Sequence, residues 1–339
     1  MAHSFHVKLG QSHLKWSQTV PPILTVTSGS EVEFDLLDGS HNMFRPDNAA
    51  TALADFDSSM ANPATGPIYV EGAEPGDVLK VEFLDLVPGP YGWTAIIPGL
   101  GLLSDEFTEP HLKIWDLSDA ALLGVPGSPA AAGGRRAVFK PGISIPVRPF
   151  LGLVGVAPAV PGELSLIPPY AGSGGNVDCR DLSAVGSTLY LPVNVPGALF
   201  SCGDGHAAQG DGEVCGTALE TPMRARLRLT VEKAAARAAK GWALACPHYV
   251  APPRGRAGIE ADVAADRGEY AALGIHEDLR EATRMALRGA IDWLVAEKGL
   301  TRLEAYMLAS VAGNLRMSAV VDMPNYAISC AIPLGIFTE

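Results

Sequence analysis

Short runs that alternate between apolar and polar residues, cut repeatedly by proline and glycine, constrain this chain more than anything else in it. Residues 23–37 alternate around a turn at Ser28-Gly29-Ser30. The pattern returns at 68–70 and 78–86, on either side of Glu74-Pro75-Gly76-Asp77. Period two is the mark of a strand with one buried face. The 27 prolines and 37 glycines of the 339 residues are dense through the first two hundred positions, which suits many short strands and sharp turns and not long helices. The expected fold class is mainly β with α+β elements, organised as a jelly-roll-like β-sandwich. Helical spacing enters only late. Leu279, Ala282, Ala286, Ala290, Trp293 and Leu294 recur at three- and four-residue intervals, Gly299 closes that helix, and Thr301-Arg302-Leu303-Glu304 is a capping box that opens a second one reaching Gly313. The chain should therefore end in a helical hairpin followed by strands at 318–322 and 327–333, joined by a turn at Pro324-Asn325. Residues 117–134 carry no usable period and read as a surface excursion. The division expected is an N-terminal β-rich domain, 1–165, and a C-terminal β domain, 166–339, carrying the site loops and the helical hairpin, with the two interleaved.

A net charge of −12, with no basic group larger than Arg135-Arg136 or Arg254 with Arg256, argues against nucleic acid or an anionic membrane as a partner. The first ten residues lack the apolar core of a signal peptide, and no window approaches the eighteen or so uncharged apolar residues of a membrane span. A cytoplasmic enzyme is expected. Cys179, Cys202, Cys215, Cys246 and Cys330 are odd in number and form no C-x-x-C pair, so they read as reduced core thiols and not as a disulfide framework or a cysteine zinc site.

The densest chemistry lies at 202–213, which reads C-G-D-G-H-A-A-Q-G-D-G-E. Flanked by strand-like runs, it reads as a loop at the mouth of a sheet. Asp204 and His206 are two apart, which on extended chain puts both side chains on one face, where a carboxylate and a neutral imidazole can share a divalent cation. An isolated D-x-H is equally a polar hairpin loop. Here the added presence of Gln209, Asp211 and Glu213 favours a site. A second stretch, G-S-G-G-N-V-D at 172–178, places Asn176 and Asp178 on one side of a glycine bend, either as oxygen ligands or as caps of an ordinary turn. Ser173 lacks the glycine that a nucleophile elbow needs where Ala171 stands. Glu71, at a strand end in Y-V-E-G-A-E-P-G-D, is either a solvated residue or an inward-facing general base. His13 and His41 are candidate ligands only in the company of others. Phosphate-loop and dinucleotide fingerprints are absent.

Several blocks carry a resemblance to a known family. G-G-N-V-D-C-R-D-L at 174–182 and G-D-G-H-A-A-Q-G-D-G-E-V-C-G at 203–216 resemble two signature blocks of the acetamidase/formamidase family. The stretches at 62–77, 98–101 and V-V-D-M-P-N at 320–325 resemble further blocks in the same order, so the similarity runs from about residue 15 to 336. The resemblance implies an amidohydrolase that releases ammonia from a short aliphatic amide, acting as a homodimer or higher homo-oligomer. It also implies a sandwich with a smaller β-barrel-like part and an α+β element. Metal-containing members, usually with zinc, act on short amides or on a cyclic lactam. The chain departs from the family at Ser40-His41-Asn42, where members often carry a Gly-Gly-Gln type segment.

Amide hydrolysis needs a polarised carbonyl, an activated water and a proton for the departing nitrogen. On this reading Zn2+ held by Asp178, Asp204 and His206 does the first two, Glu71 or Glu213 shuttles the proton, and Asn176 and Gln209 hold the amide. No Ser-His-Asp set and no cysteine with an adjacent base offers a covalent route. The alternatives are hydrolysis of a γ-lactam, or a non-catalytic sandwich module whose acidic loops hold Ca2+. His206 speaks against calcium alone, because imidazole suits zinc. The scarcity of long basic side chains near the site beyond Arg180 points to a small neutral amide.

Overall fold

The computed structural model describes residues 4–122, 135–253 and 266–337. Residues 123–134 of the patternless stretch, and Arg254 with Arg256, lie outside the described residues.

Two open sheets of nine strands dominate the chain. With strands numbered along the sequence, the first sheet runs β1 (Ser4–Val7), β2 (Ser30–Leu36), β12 (Met223–Glu232), β4 (Val78–Pro88), β9 (Thr188–Pro192), β13 (His248–Ala251), β14 (Glu269–His276), β16 (Tyr326–Pro333) and β15 (Asn314–Ala319). The second runs β8 (Gly174–Asn176), β7 (Phe150–Gly155), β10 (Phe200–Ala208), β11 (Leu219–Glu220), β5 (Tyr91–Ile96) and β6 (His111–Asp116). Strand β3 (Ala64–Val70) also pairs with β10 and carries the two short strands Ser12–His13 and Leu24–Val26. Both sheets draw strands from before and after residue 165.

The alternation read from the sequence is physical. In β2 every second residue is buried, and Val32, Phe34 and Leu36 pack against Ile68, Val70, Leu151, Val154 and Phe200 of the second sheet in one continuous core. This face-to-face burial makes the molecule a sandwich. Among the described residues neither large sheet closes on itself, so the barrel-like part implied by the family resemblance is an open sheet here.

The hairpin forms as its caps dictate. Helix α1 (Leu279–Lys298) starts where Asp278 accepts from the Glu281 N–H and ends at Gly299, whose φ of 67° only glycine adopts readily. Its face of Ala282, Ala286, Ala290 and Leu294 lies buried on the first sheet, where Ala286, Ala290 and Leu294 join the core beside Ala272 and Ile332 of β14 and β16. Helix α2 (Arg302–Ala312) opens on the complete Thr301–Glu304 capping box. No helix among the described residues is long and apolar enough to cross a membrane.

Two boundaries differ from the sequence reading. The expected strand at 318–322 begins instead at Asn314, immediately after the helix, because β15 pairs with β16 from Asn314 to Ala319. That frees 320–322 to leave the sheet and carry Asp322 inward. The expected loop at 202–213 is for its first seven residues a central strand, β10, paired with β7 on one side and with β3 and β11 on the other. Glycines at 203 and 205 disguised it, since a strand buried on both faces shows no alternation.

Candidate active site

Strand β10 delivers His206 to the centre of the molecule, fully buried. Phe150 of β7 is its cross-strand neighbour and meets the imidazole edge-on, with ring centroids 4.9 Å apart. Glu220 of β11 is its neighbour on the other side. His206 Nδ1 lies 2.9 Å from Gln209 Oε1, and Gln209 Nε2 donates to the Asp178 carbonyl at 2.9 Å. An amide oxygen only accepts, so Nδ1 carries a proton and Nε2 is the nitrogen turned toward the carboxylates. Nε2 stands 3.2 Å from both Asp204 Oδ2 and Glu220 Oε2, yet forms a directed hydrogen bond with neither.

Around this nitrogen the fold assembles five carboxylates, on Asp178, Asp204, Glu213, Glu220 and Asp322, all buried. Three overlapping trios have ligand atoms within 4.8 Å of one another: Asp178, Asp204 and His206; His206, Glu213 and Glu220; and Asp178, Glu213 and Asp322. Both oxygens of Asp178 and Oε2 of Glu220 are buried without a hydrogen-bond donor. Asp178 follows β8, with its N–H on the Gly152 carbonyl at 3.2 Å. Asp322 follows β15. The bridge between Gly212 and Ala319 ties its segment to the loop that carries Glu213.

Backbone strain marks part of the cluster. Asp178, Asp204 and Glu213 all sit at positive φ, 42°, 55° and 46°, as does Asn62 at 49°. Such strain gathers where surrounding structure imposes it for function. Gly152 completes the cradle: a Cβ there would fall 2.5 Å from Asp178 Oδ1, 2.6 Å from Asp204 Oδ2 and 2.8 Å from His206 Cε1. Gly39 does the same beneath Asp204 and Glu220.

The electrostatics describe a site short of positive charge. Burial raises Asp178 well above the usual carboxylate range, and Glu213 and Asp322 add to it. Burial likewise raises Glu213, with the imidazole of His206 pulling the other way. Glu220 is pushed up to about 7 and Asp322 to about 6, in both cases by burial first. For His206 burial lowers the proton affinity, but Glu220 and Asp204 outweigh it and hold the ring well above its ordinary value. Desolvated like charges at this spacing call for protons or for a cation. Orphaned carboxylate oxygens, an oriented imidazole nitrogen and a cradle that a methyl group would fill fit a divalent cation.

The structure brings together Asp178, Asp204, His206 and Glu213 of the residues singled out in the sequence. Asn176 and Gln209 sit beside them as positioning residues: Asn176 donates to Asp322 Oδ2 at 3.1 Å and accepts from Asn62, while both ends of the Gln209 amide are engaged as described. Glu71 is not brought in. It is exposed on the turn after β3, where its N–H bonds the Val26 carbonyl. His13 bonds Ser201 and the Lys15 carbonyl, and His41 the Met60 carbonyl. Glu220 and Asp322 were not singled out by sequence reasoning. The signal for Asp322 was its acidic side chain in the V-V-D-M-P-N block; for Glu220 it was an acid on a strand two residues before Pro222.

A cavity of about 490 Å3 opens beside the cluster, walled by Trp115, Ile145, Cys215, Thr217 and Leu219. Among the six donors only Glu213 also lines it. Arg180, on its wall, is committed to Asp211 at 3.0 Å, whereas Arg148 on the same wall is exposed.

The model of the Acetamidase/Formamidase family matches the chain over residues 2–163 and 162–339. A predicted acetamidase/formamidase from Thermoanaerobacter tengcongensis shares 28% identity, with a TM-score of 0.82 over 99% of this chain and 97% of that one. An acetamidase from Bacillus halodurans shares 27%, with a TM-score of 0.79 over 98% of each chain. A formamidase from Methylophilus methylotrophus is 27% identical over 97% of this chain and 90% of its own length. With residues 2–339 matched, and Asp178, Asp204, His206 and Glu213 of the buried cluster falling within the two blocks that first suggested it, this protein belongs to the acetamidase/formamidase family.

Proposed function

We propose that the buried cluster binds divalent cations and hydrolyses a small aliphatic amide to a carboxylate and ammonia. The observation that carries this reading is the double position of Glu213, which is both a member of the donor cluster and a wall of the adjoining cavity. The trio of Asp178, Asp204 and His206 has the mixed nitrogen and oxygen character that suits Zn2+. The trio of Asp178, Glu213 and Asp322 offers oxygen alone, as Ca2+ prefers. Five carboxylates carry more charge than one divalent cation balances, and the remainder is met by a second ion or by protons on the raised acids.

A bound divalent cation supplies Lewis-acid polarisation of the amide carbonyl and acidifies water, to a pKa of about 7 in zinc enzymes. The protein's own residues do the rest. Gln209 holds the imidazole of His206 in one tautomer, and Asn176 holds the Asp322 carboxylate. Glu213 takes a proton from the attacking water on the cavity side and returns it to the leaving nitrogen. Burial, which raises its affinity for protons, suits it to both halves of that transfer. Glu71, exposed elsewhere, takes no part.

Arg180 is engaged by Asp211 but Arg148 on the same cavity wall is exposed, so the reading of a small neutral amide rests on the likeness to formamidases and acetamidases and not on a lack of positive charge. The cytoplasm is the setting that agrees with five free cysteines. The test is kcat/KM measured as ammonia release or ring opening across formamide, acetamide, propionamide, an aromatic amide and a γ-lactam. Each methylene that does not fit lowers transition-state binding by about 1–3 kcal/mol, so the rate should fall steadily with acyl length. A preference for the aromatic amide or the lactam contradicts the substrate assignment.

A further inference from the structure

A second cavity, of about 450 Å3, lies on the far face of the first sheet and shares no lining residue with the one beside the acidic cluster. Strand period two fixes the side. Leu189, Leu191, Tyr249, Ala251, Ala271 and Leu273 belong to the core between the sheets, so Tyr190 of β9, Val250 of β13 and Tyr270 of β14 face away from it and line this cavity. The C-terminal end of α1 closes one side, and the helical turn at Ala234–Ala238 with the residues after it closes another. The volume is that of a small-molecule site.

Its aromatic walls already hold the protein's own cations on their faces. Arg237 Cζ lies 5.2 Å over the ring of Tyr190 and 4.7 Å over that of Trp242. Trp293 carries Tyr270, stacked with ring centroids 4.0 Å apart, and Lys298 Nζ 5.6 Å over its ring. A cationic ligand would find these faces taken and like charges beside them. Ring edges remain, and they bear the positive end of the aromatic quadrupole, which favours an anion.

The ionic groups agree. Arg237, Lys240 and Lys298 line the cavity against Glu232 and Glu297, a local excess of positive charge in a chain of net charge −12. Both carboxylates are engaged, Glu232 by Arg237 at 2.9 Å and Glu297 by Lys240 at 2.6 Å. Lys298 is left over: it is exposed and pairs with no carboxylate among the described residues. Arg237 donates to Glu232 through Nη2, while its Nε and the Nε1 of Trp242 are buried with no acceptor among the described residues. Donors without acceptors behind a cavity wall are completed by a ligand oxygen or by a water that it orders.

We propose that this cavity is a second ligand site, separate from the acidic cluster, for a small organic carboxylate. The carboxylate group sits at Lys298 and Arg237, and a compact apolar body packs against Val250, Leu334 and the ring edges.

Equilibrium dialysis of the full chain against benzoate tests this, with benzyl alcohol and benzylamine as neutral and cationic probes of similar shape. Benzoate should occupy this site once per chain, and both other probes should bind it about tenfold more weakly or worse, because each lacks the charge-assisted contacts. Lys298→Gln, a change at an exposed side chain, and Arg237→Met should each weaken benzoate by a similar factor while circular dichroism stays that of the wild type. If Arg237→Met does not fold, Lys298→Gln decides alone. No benzoate bound at millimolar concentration, equal binding of the neutral or cationic probe, or benzoate binding unchanged in a folded variant overturns the proposal.

Discussion

Gln209 Oε1 accepts the Nδ1 proton of His206 at 2.9 Å while Gln209 Nε2 donates to the Asp178 carbonyl at 2.9 Å, so one amide ties together two strands' worth of ligands. Removing such an outer partner weakens metal binding by roughly tenfold to a hundredfold. Gln209→Leu should therefore show that loss in a chelator competition titration, with secondary structure unchanged. Wild-type affinity in this variant would mean that the imidazole needs no orientation from Gln209.

Gly152→Ala tests the cradle. The added Cβ would stand 2.5 Å from Asp178 Oδ1 and 2.6 Å from Asp204 Oδ2, so both buried carboxylates would have to shift. Metal affinity should fall by tenfold or more, and overpacking should lower stability by about 1–3 kcal/mol. Full metal content and wild-type melting after this one-carbon change would show that the pocket is looser than the structure has it.

The raised acids predict an unusual pH response for the chelated protein. Glu220 titrates near 7 and Asp322 near 6 in the fold, both above their ordinary values, so the folded chain binds more protons than the unfolded one between about pH 4 and 7. The contribution of these two acids to stability must then fall as pH rises through that window. His206, also raised, acts in the same sense, because its contribution is complete below its ordinary value and is lost as pH rises through its folded one. His248, which burial lowers to about 3, opposes this up to its ordinary 6.5, so melting temperature after chelation should drop from about pH 6.5 to pH 8, and restored divalent cation should flatten the slope. A melting temperature of the chelated protein that climbs over this range would contradict the burial of these carboxylates as ionisable groups.

Much of this was legible in the sequence. The helical hairpin was, down to its capping box, because caps and periodicity are local. Asp178, Asp204, His206 and Glu213 were legible because they crowd into two short glycine-rich stretches. Glu220 and Asp322 were not, since only sheet register brings β11 opposite His206 and only the early end of β15 turns Asp322 inward. Glu71 misled for the complementary reason: a strand end looks the same in sequence whether it faces the core or water.

Glu213→Gln separates proton transfer from metal binding less cleanly than an uncharged bystander would, because Glu213 belongs to two of the donor trios. The trio of Asp178, Asp204 and His206 remains intact in the variant. It should keep at least one equivalent of metal while kcat falls by a hundredfold or more. An unchanged kcat with full metal content would remove Glu213 from the chemistry.

The account stands or falls on ammonia release from acetamide and formamide by the chelated, dialysed protein before and after divalent cation is returned. It predicts negligible release from the stripped protein and recovery on addition of zinc, alone or with calcium, with His206→Ala failing to recover. Equal rates of ammonia release from the stripped and reloaded protein would contradict it.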